Sequence, residues 1–441
     1  MMFKKILIGW GLLMALSFTA AHAQFTLDGQ LIQRSEFRNG YSRLINDAAG
    51  PAFFIAHRAR LQAAYAMEGV SFFMSIQDVR TWGNTSQTKA TDNFLSLHEA
   101  WVEANLGNNW KVKLGRQELN YDNFRFLGNL DWALQARAHD FALVKYEKEN
   151  MKLHVGGGYN QDGQMNSGNI FTVPNQYKLA QFARYENRFG DFSFSALFWN
   201  DGRQFVITDD AGAIVDDGVR YRQTLGLPTL RHQIGNTAIS GFYYHQLGKD
   251  ASGRDILAFD FSAQVSHQIN GAPGTDRRLR ATAGFEILSG TPNNDPTENR
   301  SFSPLYGTNH LFNGYMDLFY VGGSHENSVG LRDFYLKGRY DFGPKFFMQA
   351  DGHLFYAQAD VYRPGISEER MDSYLGSEVD VSVGYLFNQA ISIQGGYSHF
   401  FHTDTFEVIQ NNGSLKNTQN WAYLMLIFRP TMKNKFIGIL L

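Results

Sequence analysis

The amino-acid sequence predicts an all-β protein, a transmembrane antiparallel β-barrel of about 18 strands of the outer-membrane type. Apolar and polar residues alternate with a period of two along nearly the whole chain, which indicates strands with one apolar and one polar face. The predicted strands are longer than the roughly five or six residues usual in soluble sheets. Short turns alternate with long polar loops, as in barrels with periplasmic turns at one end and outer loops at the other.

The N-terminal segment, residues 1–23, predicts a secretory signal peptide that is removed from the rest of the chain. Lys4 and Lys5 supply its positive charge, residues 6–15 its apolar core, and Ala21-His22-Ala23 the small residues before the cleavage site. The apolar core is shorter than the roughly 20 residues that a transmembrane helix needs. The mature chain is therefore expected to be exported and to begin with a strand.

The remaining chain, residues 24–441, is predicted to form one barrel domain because no linker rich in Pro, Gly and Ser divides it. In residues 279–287, for example, apolar side chains alternate with Arg280, Thr282 and Glu286. Eighteen tilted strands enclose an aqueous lumen on the order of 15 Å wide unless loops plug it. The predicted strands span residues 25–37, 52–67, 70–81, 94–106, 110–119, 132–148, 151–160, 177–189, 192–204, 218–232, 237–248, 255–269, 277–290, 328–341, 345–359, 373–387, 390–401 and 420–429.

The connections and the aromatic residues also fit a membrane barrel. Residues 68–69, 107–109 and 149–150 form short turns, whereas residues 160–175 and 291–310 form long polar loops. Aromatic residues near strand ends are typical of the girdles at the two membrane interfaces. The aromatic residues assigned to these girdles are Trp82, Trp101, Trp110, Trp132, Tyr146, Trp199, Tyr385 and Trp421.

Composition excludes several other classes of protein. The 441 residues include 40 basic and 42 acidic side chains, and this near balance argues against a nucleic-acid partner. The absence of Cys excludes disulfides and thiolate chemistry. After the signal peptide, no apolar run reaches the roughly 18 residues of a membrane helix, so contact with outer-membrane lipid is assigned to strands.

A more specific pattern lies within residues 97–146. It contains Gly-Arg-Gln-Glu-Leu at 115–119, Arg-x-x-Gly at 125–128, Asp-Trp at 131–132 and Arg-x-x-Asp at 137–140, in that order. This combination resembles the alginate-export family of outer-membrane barrels. Four coupled elements in the correct order are a stronger signal than any one of them alone.

A second stretch, residues 304–323 followed by 329–333, is similar to a later block of the same family. The resemblance implies an eighteen-stranded barrel that passes an anionic uronate polysaccharide through an arginine-rich constriction. The chain departs from the usual aromatic C-terminus of such barrels, since it ends Ile439-Leu440-Leu441. We therefore expect residues 421–428 to close the barrel and the remainder to form a periplasmic extension.

The candidate solute path consists of basic side chains, nine of which lie opposite apolar strand faces and are expected to point inward. A charge that faced lipid would cost about 2–4 kcal/mol near the membrane midplane. Arginine suits such a path because its planar guanidinium binds both oxygens of a carboxylate. The candidate residues are Arg58, Arg60, Lys111, Lys113, Arg116, Arg125, Arg137, Arg184, Arg220, Arg222, Arg278, Arg280 and Arg332.

A structural role is the alternative for each of these residues, because acidic side chains on the same walls could pair with them and brace the barrel. The candidate acidic partners are Glu36, Glu99, Glu103, Asp260, Glu286, Glu378 and Asp380.

No catalytic, cofactor or metal site is expected. Ser96 and His98 share a strand face with Ala100 and Val102, which predicts that this face contacts lipid. The His residues lack the spacing of metal motifs. The acidic residues in 209–217 could bind Ca²⁺, but such clusters are more often solvated turns.

The sequence leaves three functions open. The first is a passive channel for an anionic polysaccharide or a small anionic solute, and the second is a general or nutrient-uptake porin. The third is a plugged barrel that anchors surface partners. Opposed acidic and basic walls would favour the porin, a continuous basic ring would favour polyanion transport, and a blocked lumen would favour the anchor. No contacts typical of trimers are evident, so a monomer is expected.

Overall fold

A computed structural model describes the chain from Gln24 onwards with short gaps, so the predicted signal peptide and the last three residues lie outside the described residues. Within the part that it covers, no helix is long and apolar enough to cross a membrane. The described residues are 24–88, 94–295, 297–319, 328–365, 369–411, 413–430 and 436–438.

The described residues form one sheet of eighteen strands that closes on itself. Each strand pairs antiparallel with its neighbours in sequence, and the first strand pairs with the last, Leu31 opposite Phe428. This closure confirms the predicted antiparallel barrel. The strands are β1 (Gln24–Asn39), β2 (Ala52–Met67), β3 (Val70–Thr81), β4 (Leu95–Gly107), β5 (Trp110–Gln117), β6 (His139–Lys148), β7 (Met151–Tyr159), β8 (Leu179–Phe189), β9 (Phe192–Thr208), β10 (Ile214–Ile234), β11 (Thr237–Lys249), β12 (Asp255–Asn270), β13 (Arg278–Leu288), β14 (Leu331–Asp341), β15 (Phe346–Tyr356), β16 (Tyr374–Leu386), β17 (Ile391–His402) and β18 (Gln419–Phe428).

Most predicted strands match the observed ones to within a few residues, but β6 begins seven residues later than predicted. Residues 132–138 leave the wall and fold into the barrel, where Trp132 is 4% exposed. Trp199 and Trp421 are fully buried on inward-facing positions. These three tryptophans therefore do not belong to the interfacial girdles to which the sequence assigned them.

Two long loops fill much of the interior. The first inward loop, residues 118–138, connects β5 to β6, and the second inward loop, residues 297–319, lies between β13 and β14. The loops bind each other, since the Gly128 amide donates to the Tyr306 carbonyl at 2.9 Å. Phe126 and Met316 are buried within this assembly, so the main hydrophobic cluster of the molecule lies inside the barrel.

A third segment, residues 436–438, also enters the barrel. The backbone of Ile437 exchanges two hydrogen bonds with the Gln394 side chain of β17, at 2.8 and 3.1 Å. Gly438 lies so close to the Trp132 ring that a Cβ there would collide with it. The expectation of a periplasmic extension is therefore wrong for these three residues. Side chains in the barrel interior form hydrogen bonds with their backbone and pack against them, and solvent would not provide this packing.

Candidate solute pathway

The inward loops divide the interior into two cavities of nearly equal volume. The outer cavity, about 1010 Å³, lies towards the long loops and is bordered by Arg38, Arg80 and Lys249 near the strand ends. The inner cavity, about 1060 Å³, lies towards the short turns and is bordered by Lys152 and Arg231. The two linings share no residue. The interior is thus narrower than the open lumen that the strand number alone implies.

Basic side chains dominate the outer cavity. Nine arginine and lysine residues border it, against four carboxylates. The basic residues are Arg34, Arg38, Arg80, Arg137, Arg203, Arg220, Arg222, Lys249 and Arg254, and the acidic ones are Glu36, Asp201, Asp250 and Asp317.

The four carboxylates of the outer cavity already have partners. Glu36 binds both Arg34 and Arg38, at 2.8 and 2.9 Å. Asp250 binds Arg254 at 2.8 Å, and Asp317 binds the His310 ring at 2.9 Å. Asp201 accepts from the Tyr306 hydroxyl at 2.8 Å and lies 3.4 Å from Arg203. These carboxylates thus neutralise part of the cavity's own basic set, and two further members pair with other carboxylates, Arg80 with Asp78 and Lys249 with Asp255.

Arg137 and Arg220 contact carbonyl oxygens and no carboxylate of the described chain. Arg137 donates to the Gly307 carbonyl at 2.9 Å, and burial lowers its pKa to about 10, so it stays charged at neutral pH. Arg220 donates to the Ala251 carbonyl at 2.6 Å and lies 4.0 Å over the Phe205 ring. Both guanidinium groups therefore retain positive charge that an anion in the cavity can meet.

The inner cavity is nearly balanced in charge, because its basic side chains have acidic neighbours along the wall. Arg184 illustrates this, since it binds Asp122 at 2.8 Å and Glu186 at 2.6 Å. The basic residues that border the inner cavity are Lys152, Arg184, Arg231, Arg280, Lys337 and Arg339, and the acidic ones are Asp122, Glu147, Glu186, Glu286 and Asp333.

Arg125 occupies the layer between the two cavities. It is fully buried, with its Nε 2.7 Å from Glu286 and 3.4 Å from Asp260. Its other nitrogens donate to Asn309 and Asn313 of the second inward loop, at 3.3 and 2.9 Å. One side chain of the first inward loop thus connects the wall carboxylates to the second inward loop.

The barrel interior has an acidic sector on β12–β16. Glu286 lies directly opposite Asp333, and Asp351 directly opposite Asp380, so carboxylates are cross-strand neighbours. Beside them, the His353 ring contacts Asp333 at 2.9 Å. The buried carboxylates of this sector are Asp260, Glu286, Asp333, Asp351, Glu378 and Asp380.

Part of this chain matches a known protein family. The family model described as alginate export matches residues 27–163. The predicted resemblance is confirmed over that segment. The matched segment runs from β1 to β7 and includes the first inward loop. No curated protein matches the chain.

Several solved Pseudomonas aeruginosa structures have the same fold. OpdO is 15% identical, with a TM-score of 0.57 over 91% of this chain and 96% of its own. OccK9 (OpdG) is 12% identical, with a TM-score of 0.57 over 91% and 98%. The outer membrane protein opdK is 12% identical, with a TM-score of 0.54 over 92% and 98%. At these identities the likeness shows the fold alone, an outer-membrane β-barrel.

Within the matched residues 27–163, Asp131 of the Asp-Trp element holds the first inward loop against a basic part of the wall. It binds Arg58 of β2 at 2.7 Å and Arg429, just after β18, at 2.9 Å. Burial alone would raise the pKa of Asp131, but Arg58 and Arg429 outweigh it and lower the pKa below its usual value. Arg34 adds a bond to the Trp132 carbonyl at 2.7 Å.

Several other predicted path residues also brace the wall. Arg58 is fully buried, and Arg60 donates to the Gln77 side chain at 2.6 Å. Lys111 binds Glu147 at 2.7 Å, and Lys113 lies 3.8 Å from the centre of the Trp101 ring. These four residues border neither of the two large cavities.

Arg116 and Arg332 lie away from both large cavities. Arg116 pairs at 2.9 Å with Asp140, whose side chain is 57% exposed on the outward face of β6. Arg332 donates to the Ala357 carbonyl at 2.8 Å, holding a loop segment in place. Arg278 and Arg280 border a smaller cavity of about 210 Å³ near the short turns. Sequence alone could not distinguish these positions, since bulges and strand ends shift the alternation of faces.

Sequence reasoning also missed much of the outer cavity. Arg34 and Arg38 lie two residues before and two residues after Glu36, on the same strand face. Because Glu36 was predicted to point inward, the same alternation could have identified both arginines. Arg203 likewise lies two residues from the inward-facing Asp201. The missed basic residues of the outer cavity are Arg34, Arg38, Arg80, Arg203, Lys249 and Arg254.

Proposed function

We propose that this chain is an outer-membrane channel of the alginate-export type that passes an anionic polysaccharide or a related carboxylated solute. The observation that carries the proposal is the outer cavity, where nine basic side chains meet four carboxylates that already have partners. A cavity with low-dielectric walls and one sign of charge concentrates counter-ions at its mouth. The alginate-export match over residues 27–163 supports the same class of solute.

Arginine explains how such a solute could be recognised without being trapped. Arg137 and Arg220 hold carbonyl oxygens rather than carboxylates, so exchange for a solute carboxylate breaks no ion pair within the described chain. Several weak binding sites, one after another along the path, allow a bound anion to move from one site to the next. The balanced inner cavity would then receive the solute without holding it strongly.

The size of the cavities determines what passes without rearrangement. A volume of about 1010 Å³ is at the upper end of ordinary ligand sites and accommodates a short saccharide or a small organic acid. A continuous polymer also has to cross the layer of Arg125, where the two inward loops meet. Polymer transport therefore requires these loops to separate, whereas a small solute requires a smaller displacement.

The second candidate is a porin for small solutes, and the acidic sector on β12–β16 favours it. Six buried carboxylates there interrupt any continuous basic ring around the interior. Side chains of both signs around a narrow path create a transverse field that polar solutes of either charge can cross.

Ion selectivity of the purified full-length mature chain in planar bilayers tests the two candidates. Reversal potentials in a salt gradient would be measured alone, with a uronate polymer and with a short uronate oligomer added from each side. Anion preference with block by the uronates is the result expected for the proposed channel. Block by the oligomer alone would restrict the proposal to small carboxylated solutes. Cation preference without block would overturn it in favour of a general porin.

A further inference from the structure

We propose that His98, Glu99 and Glu118 form a binding site for one divalent transition-metal ion, with Zn²⁺ as the best fit. The site lies in the wall where β4 and β5 meet the first inward loop, and its three residues border neither of the large cavities. One imidazole and two carboxylates are ligands that Zn²⁺ accepts readily. The inference is independent of the solute that the channel carries.

A β-bulge brings two consecutive side chains to the same face. Ser75 pairs with Glu99 whereas Ile76 pairs with Leu97, so His98 is an extra residue in β4. As a result His98 and Glu99 both point inward and are only 4% and 9% exposed. The expectation that His98 shares a lipid-facing surface with Ala100 is therefore wrong, because it assumed unbroken alternation.

A glycine in the neighbouring strand permits this close arrangement. Gly115 of β5 has φ +122, and a Cβ there would collide with the Ala100 carbonyl oxygen. After this irregularity β5 ends at Gln117, and Glu118 turns inward beside His98.

The three ligand atoms already lie close together, within 4.8 Å of one another. The His98 Nε2 atom is 2.9 Å from a Glu118 carboxylate oxygen, and the Glu118 amide donates to Glu99 at 3.1 Å. Zn²⁺ binds nitrogen and oxygen ligands at roughly 2.0–2.2 Å, so ligands around one ion are about 3–3.5 Å apart. Small side-chain rotations would therefore suffice to form the site.

The charge of the cluster also favours a cation. Within the described chain, neither Glu99 nor Glu118 forms an ion pair with Lys or Arg. Glu99 accepts from the Trp101 indole at 3.2 Å, and Glu118 accepts from Asn120 and Asn129 at 2.8 and 2.9 Å. Two carboxylates thus share a poorly solvated space in which His98 is the basic side chain in contact with them and the Lys113 ammonium lies further away. A divalent ion would neutralise both carboxylates directly.

Ser75 is an independent observation that points to a ligand at this position. Its side chain is fully buried, and its hydroxyl has no hydrogen-bond partner. Ser75 is the direct cross-strand neighbour of Glu99 on the inward face, which places the two Cβ atoms about 4.5–5.5 Å apart. A metal ion, or a water bound to it, would give this buried hydroxyl a partner.

Metal binding would fix the first inward loop to the wall. Glu118 begins that loop, and Asn129 from the middle of the loop donates to the same carboxylate. An ion held by β4 and Glu118 would therefore restrict the motion of the loop that separates the two cavities.

The test is the metal content and metal affinity of the purified mature chain, prepared without a polyhistidine tag. After dialysis against Zn²⁺ and removal of excess, elemental analysis should find about one Zn²⁺ per chain. Co²⁺ as a spectroscopic probe should give the absorption bands of a low-symmetry nitrogen and oxygen site. His98→Gln and Glu118→Gln should each weaken metal affinity by at least about tenfold.

The matched control is His402→Gln, which alters another His–Glu pair, since the His402 ring lies 3.2 Å from the Glu407 carboxylate. This variant should leave the metal content unchanged. Heat-dependent gel migration would verify that each variant forms the barrel. A folded wild-type chain without bound metal would overturn the proposal, as would a folded His98→Gln chain that binds as much metal as the wild type. Because the readout is metal content, failure of this proposal would leave the ion-selectivity test unaffected.

Discussion

The outer and inner cavities have nearly the same volume, yet they differ in charge. The outer cavity, about 1010 Å³, has nine basic side chains against four acidic ones, whereas the inner cavity, about 1060 Å³, has six against five. Size therefore cannot be what distinguishes the two ends of the path. In the proposed channel, anions would be selected at the outer end and passed on by the inner end.

The local arrangement of charges explains this difference. In the inner cavity, Arg184 and Glu186 lie two residues apart on one strand face and neutralise each other. In the outer cavity, Arg220 lies near a loop, where it donates to a carbonyl oxygen and packs on the Phe205 ring. Ion pairs built into the wall thus balance the inner end, whereas at the outer end Arg137 and Arg220 have no carboxylate partner among the described residues.

The largest effect should follow from removing the boundary between the cavities with Arg125→Met. This change leaves Asp260 and Glu286 buried without their cation, so we expect a loss of about 3–5 kcal/mol in the free energy of unfolding. The inward loops should also separate, which would raise the single-channel conductance. Denaturant unfolding and bilayer recordings measure both quantities. Unchanged stability and conductance would show that Arg125 does not hold the boundary.

A smaller loss is expected from Asp131→Asn, which weakens the attachment of the first inward loop to the wall. The carboxylate is 24% exposed, so breaking its bonds to Arg58 and Arg429 should cost about 1–3 kcal/mol at neutral pH. Denaturant unfolding of the variant beside the wild type measures the loss.

The pH dependence of stability, measured for the wild type and for Asp131→Asn, is the control for this prediction. Because the folded-state pKa of Asp131 is lowered, its stabilising contribution is present above the unfolded-state pKa of about 3.9 and is lost as the pH falls through the folded-state pKa. The stability difference between wild type and Asp131→Asn should therefore be constant from pH 7 to about pH 5 and shrink in more acidic solution. A difference that grows on acidification would contradict the assignment.

The contrast in charge would be sharpened by reversing one arginine in each cavity. Arg220→Glu in the outer cavity removes two units of positive charge. Each unit is worth about 0.5 kcal/mol of attraction to an anion at ~8 Å in water, so anion preference should fall roughly fivefold at low salt. Arg280→Glu in the inner cavity should change it less, since acidic and basic neighbours already balance there. Reversal potentials measure both variants. Equal effects would mean that selectivity is not concentrated at the outer end.

The smallest effect is expected from Arg116→Ala, which removes an exposed ion pair outside both large cavities. Its pair with Asp140 is solvent-exposed, so the change should cost about 0–1 kcal/mol and leave ion selectivity unaltered. Unfolding and reversal-potential measurements test both statements. A clear shift in selectivity would place Arg116 in the solute path after all.

Period-two alternation predicted the wall well because it reflects burial on one side of each strand. The bounds of β2 and β3 agree with the prediction at both ends. The start of β6 was wrong because residues 132–138 are apolar enough to resemble a strand although they fold inward as a loop. Alternation cannot distinguish lipid from the interior of a plugged barrel, since both bury apolar side chains.

The functional residues were less predictable, since their environments depend on contacts between distant parts of the chain. Arg58 points inward as the alternation predicts, but its partner Asp131 lies 73 residues further along the chain. The bulge at His98 has no signature in the alternation, and only the observed register reveals it. The local sequence thus predicts whether a side chain points into the barrel, but it does not predict which residue that side chain binds.

The buried position of residues 436–438 bears on how completion of the barrel can be followed in time. Their contacts come from Gln394 of β17, Phe347 of β15 and Trp132 of the first inward loop, so the binding surface exists only once these parts have come together. A protease that attacks this segment should cut nascent chains readily and finished barrels slowly. The segment thus provides a natural reporter of assembly, since its protection would indicate that the interior has formed.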